Sequence, residues 1–103
     1  MIDKETAIEN ILNNFNFEKV MQAMKCLDWK YWDSDEYPTL NRLYKSSKGY
    51  LEKAFDESVN NKKDCVVGSG GFIAEATYSE EHKCVDYLNL YFQVTNWDFY
   101  QEE

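Results

Sequence analysis

The sequence contains one histidine and one proline, and it has no long apolar run. His82 lies in a charged stretch with no nucleophile motif beside it, so no Ser-His-Asp or Cys-His catalytic set can be assembled. No segment approaches the roughly 18 consecutive apolar residues of a membrane-spanning helix. The first residues also lack the apolar region of a signal peptide. We therefore expect a protein without catalytic residues that works in the cytoplasm.

Cysteine is also scarce. Cys26, Cys65 and Cys84 are odd in number and widely spaced, which argues against a disulfide framework and favours a reducing compartment. One residue separates His82 from Cys84, which is not a zinc-finger spacing. The sequence therefore predicts no metal site and no cofactor.

Basic residues are outnumbered, with 11 Lys and Arg against 19 Asp and Glu and a net charge of −8. Residues 41–63 hold six bases and three acids (+3), and the rest of the chain holds five bases and sixteen acids (−11). Such a balance repels nucleic acid and favours basic partners, although it also serves simply to keep a small protein soluble. Asp33, Asp35 and Glu36 form an acidic loop that lacks the glycine and terminal glutamate of a calcium site.

Aromatic residues, in contrast, are abundant, at 17% of a chain of 103 residues. The core of a single domain of this size holds fewer aromatic rings than this chain contains. We therefore expect part of the aromatic surface to face a partner. Trp29, Trp32 and Trp97 stand beside acidic residues, a combination suited to an arginine-rich surface.

Alternation with a period of two predicts a long antiparallel hairpin over residues 68–78 and 84–94, with a turn at 80–83. Ala74 and Ala76 share the predicted core face and leave room for a helix above them. The second arm alternates between an apolar set and a polar or tyrosine set: Leu88, Leu90, Phe92 and Val94 against Tyr87, Asn89, Tyr91 and Gln93.

Three helices precede this hairpin in the prediction: residues 3–14, a second helix capped by Asn16, and a long third helix capped by Thr39. The apolar face of the third helix is expected to contain Leu40, Leu43, Tyr44, Ser47, Leu51, Ala54, Phe55 and Val59. Gly49 within it is expected to mark a close contact or a kink. Residues 28–33 alternate like a short strand, and residues 65–67 begin the sheet. The fold class is therefore α+β, a single domain with three helices on one face of a small, mainly antiparallel three-stranded sheet.

The segment Gly68, Ser69, Gly70 and Gly71 admits two interpretations. Its backbone N–H groups are able to hold a phosphate or nucleotide-like ligand, with Trp97 nearby. Phosphate-binding loops, however, lead into a helix, whereas this segment leads into a strand. The other interpretation is a glycine bulge that allows a neighbouring group to approach closely.

Three segments together form a wider pattern: residues 17–32, then Pro38 and Thr39 before a long helix, then residues 68–72 before Ala74. In this order they resemble small acidic proteins encoded by phages and prophages, over about residues 16–95. That group supplies no catalytic residues. By size, charge and source, the resemblance implies an inhibitor of host defence, such as an anti-CRISPR protein. The basic surface from Arg42 to Lys53 departs from simple mimicry of nucleic acid.

The leading hypothesis is a non-enzymatic inhibitor that binds a basic, nucleic-acid-handling host protein such as an RNA-guided nuclease, in the cytoplasm of a bacterial host. The predicted contact residues are Trp29, Trp32, Asp33, Asp35, Glu36, Glu80, Glu81, Tyr87 and Tyr91. The alternative is a nucleotide-signal binder that uses Gly68, Ser69, Gly70, Gly71 and Trp97. A third hypothesis is self-association into a homodimer through the open face of the sheet.

Overall fold

A computed structural model describes residues 2–26, 39–69 and 71–93 of the chain. Its elements, in chain order, are α1 (Lys4–Asn14), α2 (Phe17–Cys26), α3 (Leu40–Asn61), β1 (Cys65–Ser69), β2 (Phe72–Ser79) and β3 (Cys84–Phe92). The strands form an antiparallel sheet in the order β1-β2-β3, and the helices pack against it. This confirms the predicted α+β arrangement, while the strand expected at residues 28–33 lies outside the described ranges.

Side-chain caps fix the starts of the helices. The Asn16 carboxamide accepts a hydrogen bond from the Lys19 N–H at 3.0 Å, and the Thr39 hydroxyl accepts one from the Arg42 N–H at 3.2 Å. Both predicted caps are thus confirmed, and Asp3 caps α1 in the same way. None of the helices in the described ranges is long and apolar enough to cross a bilayer.

The core lies between α3 and the inner face of the sheet. Ala74 and Ala76 are fully buried on β2. Helix α3 packs across this strand, which confirms the prediction that a helix lies above the two alanines. Leu51 and Ala54 of α3 are also fully buried. Tyr78 is partly buried against the same core. Five further inner positions of β2 and β3 are buried and apolar: Phe72, Val85, Leu88, Leu90 and Phe92.

The buried face of α3 differs from the predicted one. Leu40, Tyr44 and Val59 were assigned to the core, but they are 39%, 36% and 42% exposed. The residues that are actually buried follow a narrower stripe: Leu43, Ser47, Leu51, Ala54 and Ser58. Four of these five residues were on the predicted face, and Ser58 was not. Small side chains in this stripe allow α3 to lie close to the sheet.

Gly49 makes no close contact among the described residues. The helix α3 continues through it, and a Cβ atom placed there would meet nothing within 4 Å. The expectation of a close contact is therefore wrong at this position.

The glycine segment forms a second hairpin. Ser69 at the end of β1 pairs with Phe72 at the start of β2, so only two residues connect these strands. Gly68 and Ser69 therefore belong to β1 and not, as predicted, to the arm that contains Ala74. The predicted hairpin of β2 and β3 is confirmed, with a bulge at Asp86, because Thr77 pairs with Tyr87 while Tyr78 pairs with Val85.

Candidate functional site

The face of the sheet opposite the buried inner face carries a tyrosine-rich surface. Because side chains alternate along each strand, the residues between the buried positions share this face. We call it the tyrosine face, formed by Val66, Gly68, Ile73, Glu75, Thr77, Tyr87, Asn89 and Tyr91. Val66 and Tyr87 are 62% and 43% exposed. The side chains of Val66 and Tyr87 are therefore accessible to solvent.

A chain of hydrogen bonds organises the centre of this face. Tyr91 Oη donates to Glu75 Oε1 at 3.1 Å, and the Tyr87 and Tyr91 hydroxyl oxygens lie 3.3 Å apart. Asn89 Nδ2 donates to Tyr87 Oη at 3.0 Å. Either tyrosine can be the donor in the contact between the two hydroxyl groups. The four side chains are therefore linked continuously, from the Asn89 amide through both hydroxyls to the Glu75 carboxylate.

Strand register explains why these four side chains meet. Glu75 of β2 lies directly opposite Asn89 of β3, and Tyr87 and Tyr91 flank Asn89 at two residues on either side. The two rings lean over Asn89 until their hydroxyl groups are in contact. Asn89 is held from the other end as well, because its Oδ1 accepts the Leu90 N–H at 2.9 Å. The arrangement is consequently well ordered before any partner arrives.

The network perturbs the acidity of Tyr91. Its hydrogen bond with Tyr87, together with partial burial and the hydrogen bond to Glu75, raises the pKa of Tyr91 to about 12. The amide of Asn89 acts in the opposite direction. Tyr91 therefore remains a neutral hydrogen-bond donor at physiological pH and does not act as a base.

Charge on the three strands has one sign. They contain Glu75 and Asp86 and no lysine or arginine. Asp86 is exposed at the bulge. The strands thus offer hydrogen-bond acceptors, aromatic rings and negative charge, a surface that a cationic group complements and an anionic group does not.

The acidic turn lies at one end of the tyrosine face. Glu80 and Glu81 are exposed three and four residues beyond Thr77, which is the partner of Tyr87 in the sheet. At about 3.3 Å per residue, Glu80 is about 10 Å along the strand direction from that pair. His82 Nε2 lies 4.0 Å from Glu81 Oε1, and both side chains are largely exposed. The turn therefore places two exposed carboxylates at this end of the face, beside the exposed Lys83.

Only part of the predicted site falls within the described residues. The structure brings Tyr87 and Tyr91 together and places Glu80 and Glu81 at the end of the same hairpin. Sequence reasoning did not include Glu75 or Asn89 in the site, although the alternation of the strands already placed both on this face. Seven predicted residues lie outside the described ranges: Trp29, Trp32, Asp33, Asp35, Glu36, Gly70 and Trp97.

The described glycines of the other predicted site have structural roles. A Cβ atom on Gly68 would lie 3.1 Å from the backbone oxygen of Phe72, so the strands approach closely there. Gly71 has a φ of 93°, which disfavours other residues, and its carbonyl accepts the Gln93 N–H at 2.8 Å. Ser69 ends β1, and Gly70 is outside the described residues. Hairpin geometry accounts for Gly68 and Gly71 without a ligand.

The thiols and carboxylates of the described residues offer little for catalysis. All three cysteines are free, and Cys65 Sγ lies 3.6 Å from Glu57 Oε1. Burial, with the negative charge of Glu57 beside it, raises the pKa of the Cys65 thiol, which makes it a weak nucleophile at neutral pH. In the described part of the chain, no three His, Cys, Asp or Glu side chains are grouped to hold a metal ion.

Two concave regions lie among the helices. An open cleft of about 500 Å³ is lined by residues of α2 and α3 and by the segment before α2: Phe15, Asn16, Phe17, Glu18, Leu40, Asn41 and Tyr44. A smaller cleft of about 290 Å³ lies along the α1 and α3 helices. It is lined by Glu5, Ile8, Glu9, Leu12, Tyr44, Lys48 and Glu52. Neither set of lining residues contains the histidine or cysteine of a nucleophile–base pair.

Comparison with protein-family models, with curated proteins and with solved structures gave no match to this chain. The functional argument therefore depends on the residues of the chain itself, and the tyrosine face is the described surface with the most specific arrangement of polar groups.

Proposed function

We propose that this protein is a non-enzymatic interaction protein that binds a basic, nucleic-acid-handling host protein through the tyrosine face and the turn at Glu80 and Glu81. The hydrogen-bond chain from Asn89 to Glu75 is the observation that supports it most. Tyrosine is enriched at protein interfaces because its ring supplies apolar area and its hydroxyl supplies a hydrogen bond. A pair of tyrosines that is ordered before binding loses little conformational entropy on association.

Charge favours a basic partner. The chain has a net charge of −8, and the strands of the tyrosine face contain acids and no bases. Proteins that handle nucleic acid present positively charged surfaces to the phosphate backbone. An acidic protein is attracted to such a surface, and its attraction weakens as salt screens the charges.

The resemblance to small acidic phage proteins supports a specific form of this proposal. In that form the protein acts inside a bacterial host, where it blocks a defence enzyme such as an RNA-guided nuclease. Binding of an acidic surface at the nucleic-acid channel would exclude the nucleic acid by competition. The nucleotide-binding alternative has weaker support, since Gly68 and Gly71 are already required by the hairpin between β1 and β2.

Affinity capture from bacterial lysate tests the proposal. Tagged protein is incubated at low and moderate salt, captured proteins are identified by mass spectrometry, and each is assayed for binding of its nucleic acid. We expect a basic partner that is released as salt rises and that loses its nucleic acid to this protein. The variant Glu80→Lys with Glu81→Lys should capture less of it.

A matched control carries the same change of charge elsewhere. Glu9→Lys with Glu52→Lys adds the same positive charge on the helical side, where neither residue touches the tyrosine face. Equal loss of the partner in both double variants would mean that net charge alone governs binding. Captured proteins that retain their nucleic acid in the presence of this protein would contradict the inhibitor proposal.

A further inference from the structure

The carboxylate of Glu75 lacks a basic partner on its own sheet. It is half-buried on the central strand β2, and Tyr91 is its hydrogen-bond donor among the described residues. A carboxylate has about four acceptor positions, so one donor leaves most of them to solvent. No lysine or arginine occurs within β1, β2 or β3. A cation supplied from outside the sheet would compensate this partly desolvated charge.

The surroundings of Glu75 favour a guanidinium group over an ammonium group. The rings of Tyr87 and Tyr91 stand beside the carboxylate, linked to it by the hydrogen-bond chain. Guanidinium is planar, stacks on aromatic rings and donates two parallel hydrogen bonds to a carboxylate. Ammonium provides the charge but neither the planar stacking nor the paired donors, and it is more strongly hydrated.

Charge also argues against two other occupants. A second copy packed face to face would bring its own Glu75 against strands that contain the same acidic residue and no lysine or arginine. Like charges at an interface oppose association. Nucleic acid would bring phosphates to the same acidic surface. A protein surface that presents arginine meets neither objection.

From these observations we propose that the tyrosine face is an arginine-recognition site, in which Glu75 pairs with the guanidinium of a partner protein and the rings of Tyr87 and Tyr91 stack on it. This inference rests on the proposed function and specifies the residue type that the partner contributes. Glu75 and the two rings are its specificity determinants. The acidic turn at Glu80 and Glu81 adds attraction that does not distinguish arginine from lysine.

Two peptides of equal charge test the inference. Hexa-arginine and hexa-lysine are titrated into the full chain by calorimetry, and amide and side-chain resonances of residues 73–91 are followed by NMR. We expect hexa-arginine to bind roughly fivefold more tightly, as stacking of an exposed cation on a ring predicts. The largest shifts should fall on Glu75, Tyr87 and Tyr91.

Three variants locate the preference. Glu75→Gln keeps an oxygen that accepts the Tyr91 hydroxyl but removes the charge, and Tyr87→Ala removes one ring. Both should abolish the preference for arginine, while Glu9→Gln on α1 should retain it after losing the same charge. Circular dichroism and thermal unfolding confirm that each variant is folded.

Several results would overturn the inference. Equal affinity for the two peptides, no binding of either, or the same loss in Glu9→Gln as in Glu75→Gln would each refute arginine recognition. Sedimentation that shows a dimer broken by Tyr87→Ala would assign the face to self-association instead. If the lysate partner is still captured when arginine preference is absent, the proposed function stands without this inference. If arginine preference is present but no basic partner is captured from lysate, only the proposed function is refuted.

Discussion

Two serines on the same buried face of α3 should respond to alanine in opposite directions. Ser47 and Ser58 are both fully buried. Ser58 Oγ donates to the Lys63 carbonyl at 2.7 Å and so helps to close the end of the helix. Ser47 Oγ has no hydrogen-bond partner among the described residues. The two positions therefore allow a buried hydroxyl that has a hydrogen-bond partner to be compared with one that has none among the described residues.

The sign of each effect follows from what the hydroxyl loses on burial. A buried hydroxyl without a partner costs about 1–3 kcal/mol, so Ser47→Ala should recover part of that energy. Alanine is also a better helix former by roughly 0.5 kcal/mol. In Ser58→Ala the loss of a hydrogen bond, about 1 kcal/mol, outweighs this gain in propensity. We expect Ser47→Ala to stabilise by about 1–2 kcal/mol and Ser58→Ala to destabilise by about 0.5–1 kcal/mol.

Urea and thermal unfolding measure both values. For a domain of this size, 1 kcal/mol shifts the midpoint temperature by about 4–8 °C, so the two variants should differ by roughly 6–24 °C. Unchanged urea m-values would show that the denatured state is the same. Ser47→Ala with a midpoint at or below that of the wild type would refute the reasoning, because it would mean that the Ser47 hydroxyl has a stabilising partner.

Three further predictions concern backbone conformation and pH. Gly49→Ala should raise the free energy of unfolding by about 1 kcal/mol, because the site is helical and open, and a decrease in denaturant unfolding would reveal an unseen contact. Gly71→Ala should lower it by about 1 kcal/mol or more because of the positive φ of 93°, whereas an unchanged midpoint would mean that the turn relaxes freely. Tyr91 has an ordinary pKa of 10.0 and a folded-state pKa of about 12, so its contribution to stability should be present below pH 10 and be lost as pH rises through 12. Phenolate absorbance should show one late-titrating tyrosine that Tyr91→Phe removes, and an unaltered titration curve in that variant would contradict the hydrogen-bond chain.

Alternation in the strands was the most informative signal in the sequence. It predicted which residues of β2 and β3 face the core and which form the open face, and the paired alanines predicted that a helix lies above them. The caps at Asn16 and Thr39 followed from side-chain chemistry at helix starts. These features are local or periodic, so a single sequence is enough to predict them.

The errors occurred where tertiary packing decides the outcome. On α3 the predicted core residue Tyr44 lies toward α2, with its ring 6.1 Å from that of Phe17, while Ser58, outside the predicted face, is buried. The burial of Ser58 depends on how closely the helix lies to the sheet, which residue type alone does not specify. The strands β1 and β2 are connected by only the two residues between Ser69 and Phe72, both of them glycines. Adjacent glycines favour a two-residue hairpin connection, which the bulge interpretation did not consider.

The role of Glu75 could not be read from hydropathy either. Its position opposite Asn89 depends on the register between β2 and β3, and the bulge at Asp86 sets that register on the tyrosine side. Tyr87 and Tyr91 were recognised as exposed aromatics. Their link to Glu75 required the register, because the hydrogen bond joins residues sixteen positions apart.

An NMR footprint of the captured partner tests the central claim most directly. Isotope-labelled protein is titrated with the purified unlabelled partner, and signal loss is mapped onto the described residues. Binding through the tyrosine face predicts that the signals of Glu75, Tyr87, Asn89 and Tyr91 disappear first, while those on the exposed side of α1 keep their intensity. A footprint confined to the helices, with the tyrosine face unaffected, would contradict the account.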